Sequence, residues 1–319
     1  NYVDKCKSIA KKKLSQTPSV AASILEELTD CVQKGITSEI ERTNEEIAFQ
    51  TEIRKSMALP WEFYTCADDT LNATKPKKDS HTWRGKKVEI MIDLPASRIH
   101  TIENFVSAEE CAAVEAYAAP RLKLTSIADG RGGRKFTDSR KAKQANVKVN
   151  WKKEAEGDPI VQVARRVYDY VNHVLSLDIK ENGQEDLMSI QYTGRGPDEK
   201  APDRYTPHCD GYCTGGDFKP GNRVATIIMY CEVPEKGGAT NFLNSGVHIK
   251  PKQYAATFFS YLDPVTMKSD DGFSMHSGCP VIEGQKNIVT QWVRLGVDDE
   301  NPWHSMNSMG IKKSVVANQ

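Results

Sequence analysis

A chain of 319 residues is long enough for one well-cored domain of about 200 residues plus a smaller appendage. Its 43 basic and 43 acidic side chains cancel, so no global field calls for a nucleic acid or a strongly charged surface as partner. No apolar run approaches the roughly 20 residues of a bilayer span, and the most apolar central stretch, Val224 to Cys231, is only strand-sized. Neither nucleic acid nor a membrane span is expected.

Eight cysteines (Cys6, Cys31, Cys66, Cys111, Cys209, Cys213, Cys231 and Cys279) are more than a cytosolic enzyme needs, and their even number permits disulfides. Their spacing fits no zinc module. A sequon at Asn72-Ala73-Thr74 lies in a polar stretch where a glycan has room. Together these features point to the endoplasmic reticulum lumen or secretory pathway. The alternative is a cytoplasmic protein with reduced thiols and a chance sequon. The first residue is Asn1 and not Met, which is compatible with an upstream targeting segment having been removed.

Val20, Ile24, Leu28 and Val32 recur at the spacing of one helical face, which predicts a helix from Ser19 as N-cap to Gly35 as terminator. A second helical stretch runs from Ser38 through Ile40, Ile47 and Ile53 and ends before Pro60. Residues 1 to 57 thus read as a helical appendage, which Cys6 and Cys31 could staple. A homo-oligomer or partner surface built from the same helices would look identical in sequence. Residues 65 to 87 are polar and read as a linker, dividing the chain into an N-terminal region of 1–87 and a main domain of 88–319.

Within the main domain, Ser107-Ala-Glu-Glu110 is a capping-box pattern opening a helix through Cys111, Val114 and Tyr117 that stops at Pro120. Another helix is predicted from Pro159 to Leu175, with Val163, Val167, Val171 and Val174 on its buried side. Between them Gly130-Arg-Gly-Gly133 and the basic segment to Lys143 read as a mobile loop, either solvated or facing a substrate. From residue 186 short β-rich runs follow: Leu187 to Tyr192, Val224 to Val233, His248 to Tyr261 and Asn287 to Leu295. Helices followed by many short strands predict an α+β fold in which helices buttress a jelly-roll core, a double-stranded β-helix.

Tyr205-Thr-Pro-His208-Cys-Asp210 sets two metal-ligand side chains two residues apart, on one face of an extended chain. His276, in Met275-His-Ser-Gly-Cys-Pro280, is the best-placed third ligand. Two histidines and one carboxylate leave coordination positions open, the arrangement used by non-haem Fe(II) enzymes that bind a co-substrate and O2. Lys286 follows ten residues later, and Lys286, Ile288, Thr290 and Trp292 alternate onto one face of the next strand. A lysine directed into an apolar barrel calls for an anion, and a dicarboxylate co-substrate supplies one.

With these residues in order, the segment from Gln191-Tyr192 to Trp292 resembles the catalytic domain of the collagen-type prolyl 4-hydroxylases, within the Fe(II)/2-oxoglutarate oxygenases. Arg223-Val-Ala-Thr226, Gly237-Gly-Ala-Thr240, His276-Ser-Gly-Cys-Pro-Val281, Gly284-x-Lys286 and Trp292 carry the resemblance, with weaker flanks from Ile99 to Val297. The resemblance implies that His208, Asp210 and His276 bind iron and that Lys286 pairs with the distal carboxylate of 2-oxoglutarate. It implies that Tyr192 and Thr240 hydrogen-bond the co-substrate, that Trp292 lines the pocket and that Arg223 contacts the primary substrate. Tyr205 stands beside the triad, and Cys209, facing away from both ligands, reads as structural. Asn287 stands where the family commonly has Trp, and Lys252-Gln-Tyr-Ala255 replaces its usual turn.

The implied activity is Fe(II)- and 2-oxoglutarate-dependent oxidation of an unactivated C–H bond by O2, with release of succinate and CO2 and with ascorbate as reductant. The primary substrate would be a proline-containing peptide. The alternative within the class is a small amino-acid-derived carboxylate, hydroxylated, desaturated or closed into a ring, with Arg223, Arg131 and Arg134 gripping it. A reading from another class, a non-catalytic interaction protein on an oxygenase core, is opposed by the complete ligand set.

Overall fold

A computed structural model describes residues 2–16, 23–38, 40–41, 44, 66, 71–76, 80–125, 127–128, 134–135, 139–306 and 312. Its centre is two facing sheets. In chain order the strands that build them are β1 (His81–Trp83), β2 (Lys86–Asp93), β3 (Arg98–Ile102), β4 (Lys123–Leu124), β5 (Arg140–Lys141), β6 (Lys143–Val147) and β7 (Leu187–Thr193). They continue with β8 (Arg204–His208), β9 (Arg223–Glu232), β10 (Thr240–Phe242), β11 (Val247–Ile249), β12 (Ala256–Ser260), β13 (His276–Gly278) and β14 (Gln285–Arg294). The larger, nine-stranded sheet has the order β1-β2-β3-β12-β9-β14-β7-β6-β4, and the smaller, five-stranded one β11-β10-β13-β8-β5. Every ladder between these strands is antiparallel, and from β7 to β14 the chain passes back and forth between the two sheets, as a jelly roll requires.

The two-residue period of the central strands sorts their side chains between two cores. Ile227, Met229 and Cys231 of β9 and Val289 and Val293 of β14 join the core beneath the helices. Ile228 and Tyr230 of β9 and Ile288 and Trp292 of β14 point the other way, into the space between the sheets. The outer core is closed by α3 (Ala108–Ala118) and α4 (Pro159–Leu175). Ser107 and Glu110 form the expected reciprocal capping box on α3, and Asp158 caps α4 by accepting from the Ile160 and Val161 amides. Val163, Val167 and Val171 are buried as their spacing predicts, and Val174 is half-buried.

All eight cysteines are paired: Cys6–Cys31, Cys66–Cys279, Cys111–Cys231 and Cys209–Cys213. The first staples α1 (Tyr2–Gln16) to α2, a helix over residues 23–38. That helix passes through Gly35, so the glycine does not terminate it, and the expected N-cap Ser19 lies outside the described residues. Of the next predicted helix, residues 40, 41 and 44 are helical, and Ile47 and Ile53 lie outside the described residues.

Three sequence expectations are corrected. The domain division at 87/88 cuts β2: the large sheet takes up the chain at His81, because the Arg84-Gly85 turn, both residues at positive φ, folds β1 back on β2. The supposed loop to Lys143 is strand from Arg140 onward, since its backbone completes the edge of the small sheet and then pairs with β7 in the large one. The run from His248 to Tyr261 is two strands in different sheets, separated by a turn at Tyr254, whose φ is +64°. Among the described residues no helix is long and apolar enough to cross a membrane.

Candidate active site

The site lies between the sheets, where β8 and β13 pair. His208 ends β8 and His276 opens β13, and the two are direct partners in the ladder. Asp210 follows in the turn after β8, where Gly211 allows close packing: a Cβ there would sit 2.4 Å from the Tyr261 ring. His208 Nε2 is 3.6 Å from Asp210 Oδ1, and His276 Nε2 is 3.7 Å from Oδ2. The three ligand atoms lie within 4.8 Å of one another. Each imidazole is oriented by its other nitrogen: Nδ1 of His208 donates to the Thr206 carbonyl at 2.8 Å and Nδ1 of His276 to that of Ser274 at 3.0 Å. Both Nε2 lone pairs are thereby turned toward the carboxylate, the tautomer a metal needs.

Burial opposes the charge on Asp210, yet the adjacent His276 and His208, when they carry a proton, hold its carboxyl well below the usual range. Burial, followed by the neighbouring His208, pulls the His276 imidazole down to about 4, so it is neutral at physiological pH. A permanently ionised carboxylate and two lone pairs converging on one point fit a divalent metal ion with part of its coordination sphere open. Thr226 Oγ1 donates to Asp210 Oδ2 at 2.8 Å and fixes the carboxylate plane.

The cavity beside these donors is lined by Lys286, Ile288, Thr290 and Trp292 of β14, with Ile190 and Tyr192 of β7, Ile228 and Thr240. The alternation expected of β14 therefore brings its four residues to one wall. Lys286 is 3% exposed, and its ammonium donates to the Gly238 carbonyl at 2.6 Å. Burial lowers it to about 7. No carboxylate among the described residues lies within ion-pair distance of it, so its charge fits an anion entering the cavity. Tyr192 is its partner across the β7–β14 ladder, and burial raises that phenol to about 12. The Thr240 hydroxyl shares a hydrogen bond of 3.0 Å with the Tyr230 hydroxyl. The Trp292 indole N–H is buried without an acceptor among the described residues, a second polar group that a bound co-substrate would satisfy.

No family model matches the sequence. Curated relatives do. The chain is 28% identical over 240 residues to probable prolyl 4-hydroxylase 4 of Arabidopsis thaliana, covering 68% of this chain and 74% of the relative. It is 29% identical over 197 residues to prolyl 4-hydroxylase subunit alpha-3 of Rattus norvegicus, covering 60% of this chain and 32% of the relative. The chain is a prolyl 4-hydroxylase-like 2-oxoglutarate oxygenase. This oxygenase spans about three quarters of the plant relative but only a third of the animal subunit. The viral collagen prolyl hydroxylase of Paramecium bursaria Chlorella virus-1, solved with 2-oxoglutarate, overlays with a TM-score of 0.44 at 25% identity, over 62% of this chain and 95% of that one.

Arg223 is not presented to substrate as expected. Its guanidinium donates to both Glu185 oxygens, at 2.6 and 2.7 Å, reaches the Asp210 carbonyl at 3.3 Å and stacks 4.2 Å from the Trp292 ring. Glu185 also accepts from Arg294 at 2.6 Å, so Arg223 is neutralised within a buried Arg–Glu–Arg cluster beside the Asp210 turn. Arg131 lies outside the described residues. Arg134 contributes backbone to a short hairpin with Ala128, and its side chain is likewise outside them. Cys209 is bonded to Cys213 and is unavailable as a ligand.

Sequence reasoning missed Arg140, which lines the cavity with its guanidinium 4.6 Å from the Tyr205 ring. Tyr205 in turn stacks 3.5 Å from the His208 ring. Tyr205 had a signal in its offset from His208, whereas the approach of Arg140 is set by the pairing of β5 with β8 across an intervening 64 residues.

Proposed function

We propose that the oxygenase uses Fe(II) held by His208, Asp210 and His276 to hydroxylate an unactivated C–H bond, consuming 2-oxoglutarate and O2 and releasing succinate and CO2. The observation that carries this reading is the convergence of three oriented metal donors and one buried, carboxylate-free lysine on a single cavity. When bound, the iron and its co-substrate supply the oxidative decarboxylation and the oxidising equivalent. His208, Asp210 and His276 hold the metal and leave one side of it open. Lys286, with Tyr192 and Thr240, holds the far end of 2-oxoglutarate, and Trp292 and Ile288 exclude water from it. Arg223 keeps Trp292 and the Asp210 turn in register. Ascorbate is the expected reductant.

Proline in a peptide is the substrate suggested by the relatives' names. Complete pairing of the cysteines, with Asn72 of the sequon exposed, supports a secretory or endoplasmic reticulum location. The stapled N-terminal helices carry exposed Ile9, Leu25 and Ile36 and remain the proposed contact for a partner or a second copy.

The test is succinate formation from 2-oxoglutarate under air with Fe(II) and ascorbate, comparing proline-rich peptides with free amino-acid-derived carboxylates. Wild type is expected to turn over with a gain of one oxygen in the product, and His276→Ala to lose both turnover and stoichiometric metal binding. Undiminished turnover in His276→Ala sinks the metal assignment.

A further inference from the structure

We propose that Arg140 is a specificity-determining residue that receives a carboxylate of the primary substrate, so that the favoured substrates are acids and not neutral peptide segments. The inference rests on the reading of the cavity as an Fe(II)/2-oxoglutarate site and names what that site selects.

Arg140 stands apart from the other arginines around the core. Arg98 pairs with Asp93, Arg165 with Glu154 and Glu181, Arg166 with Glu110, Arg195 with Asp203, and Arg223 and Arg294 with Glu185. Among the described residues no carboxylate pairs with Arg140, and its Nε is buried without an acceptor. Arg204 shares an unsatisfied Nε, but it does not line the cavity. The Arg140 guanidinium lies on the Tyr205 ring at 4.6 Å, and that ring lies on His208 at 3.5 Å. This stack holds the cation at the cavity beside the candidate metal ligands, with its Nε lacking an acceptor among the described residues. A planar guanidinium held in this way matches a carboxylate in bidentate geometry.

Charge balance leads to the same place. The cavity wall carries Lys286, Arg140 and a single carboxylate, Asp210, which the two histidines and the metal engage. A divalent metal and the dianion of 2-oxoglutarate cancel each other, and Asp210 cancels one of the two side-chain cations. One positive charge is left over, in a partly desolvated site where an uncompensated charge is expensive. One carboxylate on the primary substrate neutralises it. A neutral peptide segment does not.

The experiment is anaerobic calorimetry on the full chain loaded with Mn(II) and 2-oxoglutarate. The probes are N-acetylproline against N-acetylprolinamide, and a proline-rich hexapeptide with free against amidated C terminus. The acids are expected to bind at least ~10-fold more tightly than their amides, as loss of a charge-assisted pair implies. Arg140→Gln is expected to abolish that preference and Arg140→Lys to retain part of it. In turnover the Arg140→Gln defect should appear in KM for the acid more than in kcat. Equal binding of acid and amide by wild type overturns the inference without any variant, and so does an undiminished preference in Arg140→Gln. Failure of wild type to bind 2-oxoglutarate with Mn(II) would instead overturn the proposed function. Binding of the co-substrate with no preference for acids overturns only the role of Arg140.

Discussion

Replacing Lys286 by Met should move stability and co-substrate affinity in opposite directions. The side chains are similar in length, so the cavity wall keeps its shape while the charge is removed. Burial lowers the ammonium from 10.5 to about 7, which corresponds to about 5 kcal/mol of penalty for carrying the charge in the unliganded protein. The sign follows from linkage. The folded value lies below the unfolded one, so the penalty is full below about pH 7 and fades as pH rises toward 10.5. Against this, Met leaves the Gly238 carbonyl without its 2.6 Å donor, at a cost of about 1–3 kcal/mol. At pH 6 Lys286→Met should therefore be more stable than wild type by about 2–4 kcal/mol, and near pH 10.5 less stable by about 1–3 kcal/mol. Co-substrate binding loses a buried ion pair, on the order of 3–5 kcal/mol, so the 2-oxoglutarate requirement should rise at least ~100-fold. Urea unfolding across this pH range without metal, paired with 2-oxoglutarate titration by succinate release, measures both effects. A variant that is less stable than wild type at pH 6, or that keeps the wild-type 2-oxoglutarate requirement, refutes the reasoning.

Other consequences are open to the same methods. Glu185→Gln leaves Arg223 and Arg294 buried around a neutral amide and should cost about 3–5 kcal/mol in urea unfolding, with weaker metal binding because Arg223 no longer braces the Asp210 turn. Replacing Cys111 and Cys231 together by Ser frees a loop of 120 residues and should lower stability by about 4–5 kcal/mol. An unchanged urea midpoint would place the α3–β9 restraint outside the folding equilibrium. In wild type, 2-oxoglutarate affinity should fall as pH rises above about 7, because the anion binds the protonated form of Lys286. A flat profile between pH 7 and 9 would contradict that assignment.

Two of the three candidate metal ligands, His208 and Asp210, were legible in sequence from their two-residue spacing, although the structure brings them together through the turn after β8 and not along an extended chain; the alternation along β14 is a property of strand. The same holds for α3 and α4, whose caps and apolar spacing are written within each helix. What sequence could not supply was which polar side chains neutralise one another. Arg223 looked free for substrate only because Glu185, its partner 38 residues earlier, gives no sign of facing it until β7 and β9 are both packed against β14. Arg140 was hidden for the converse reason, since a basic segment after four glycine-rich positions resembles a solvated loop until pairing with β8 turns it inward. The large sheet's start at His81 was missed because β1 is three residues long and lies in polar surroundings.

The bond between Cys66 and Cys279 has an implication for biosynthesis. Cys279 stands three residues beyond His276, next to the strand that opens with it, and 213 residues separate it from its partner. An N-terminal segment emerging from the ribosome must wait with a reduced thiol until nearly the whole jelly roll has been translated and β13 has found its place beside β8. Closure of this one bond is thus a covalent record that the His276 strand is in position. Alkylating free thiols during refolding and following the mass at Cys66 would time the assembly of the His276 strand before any metal is added.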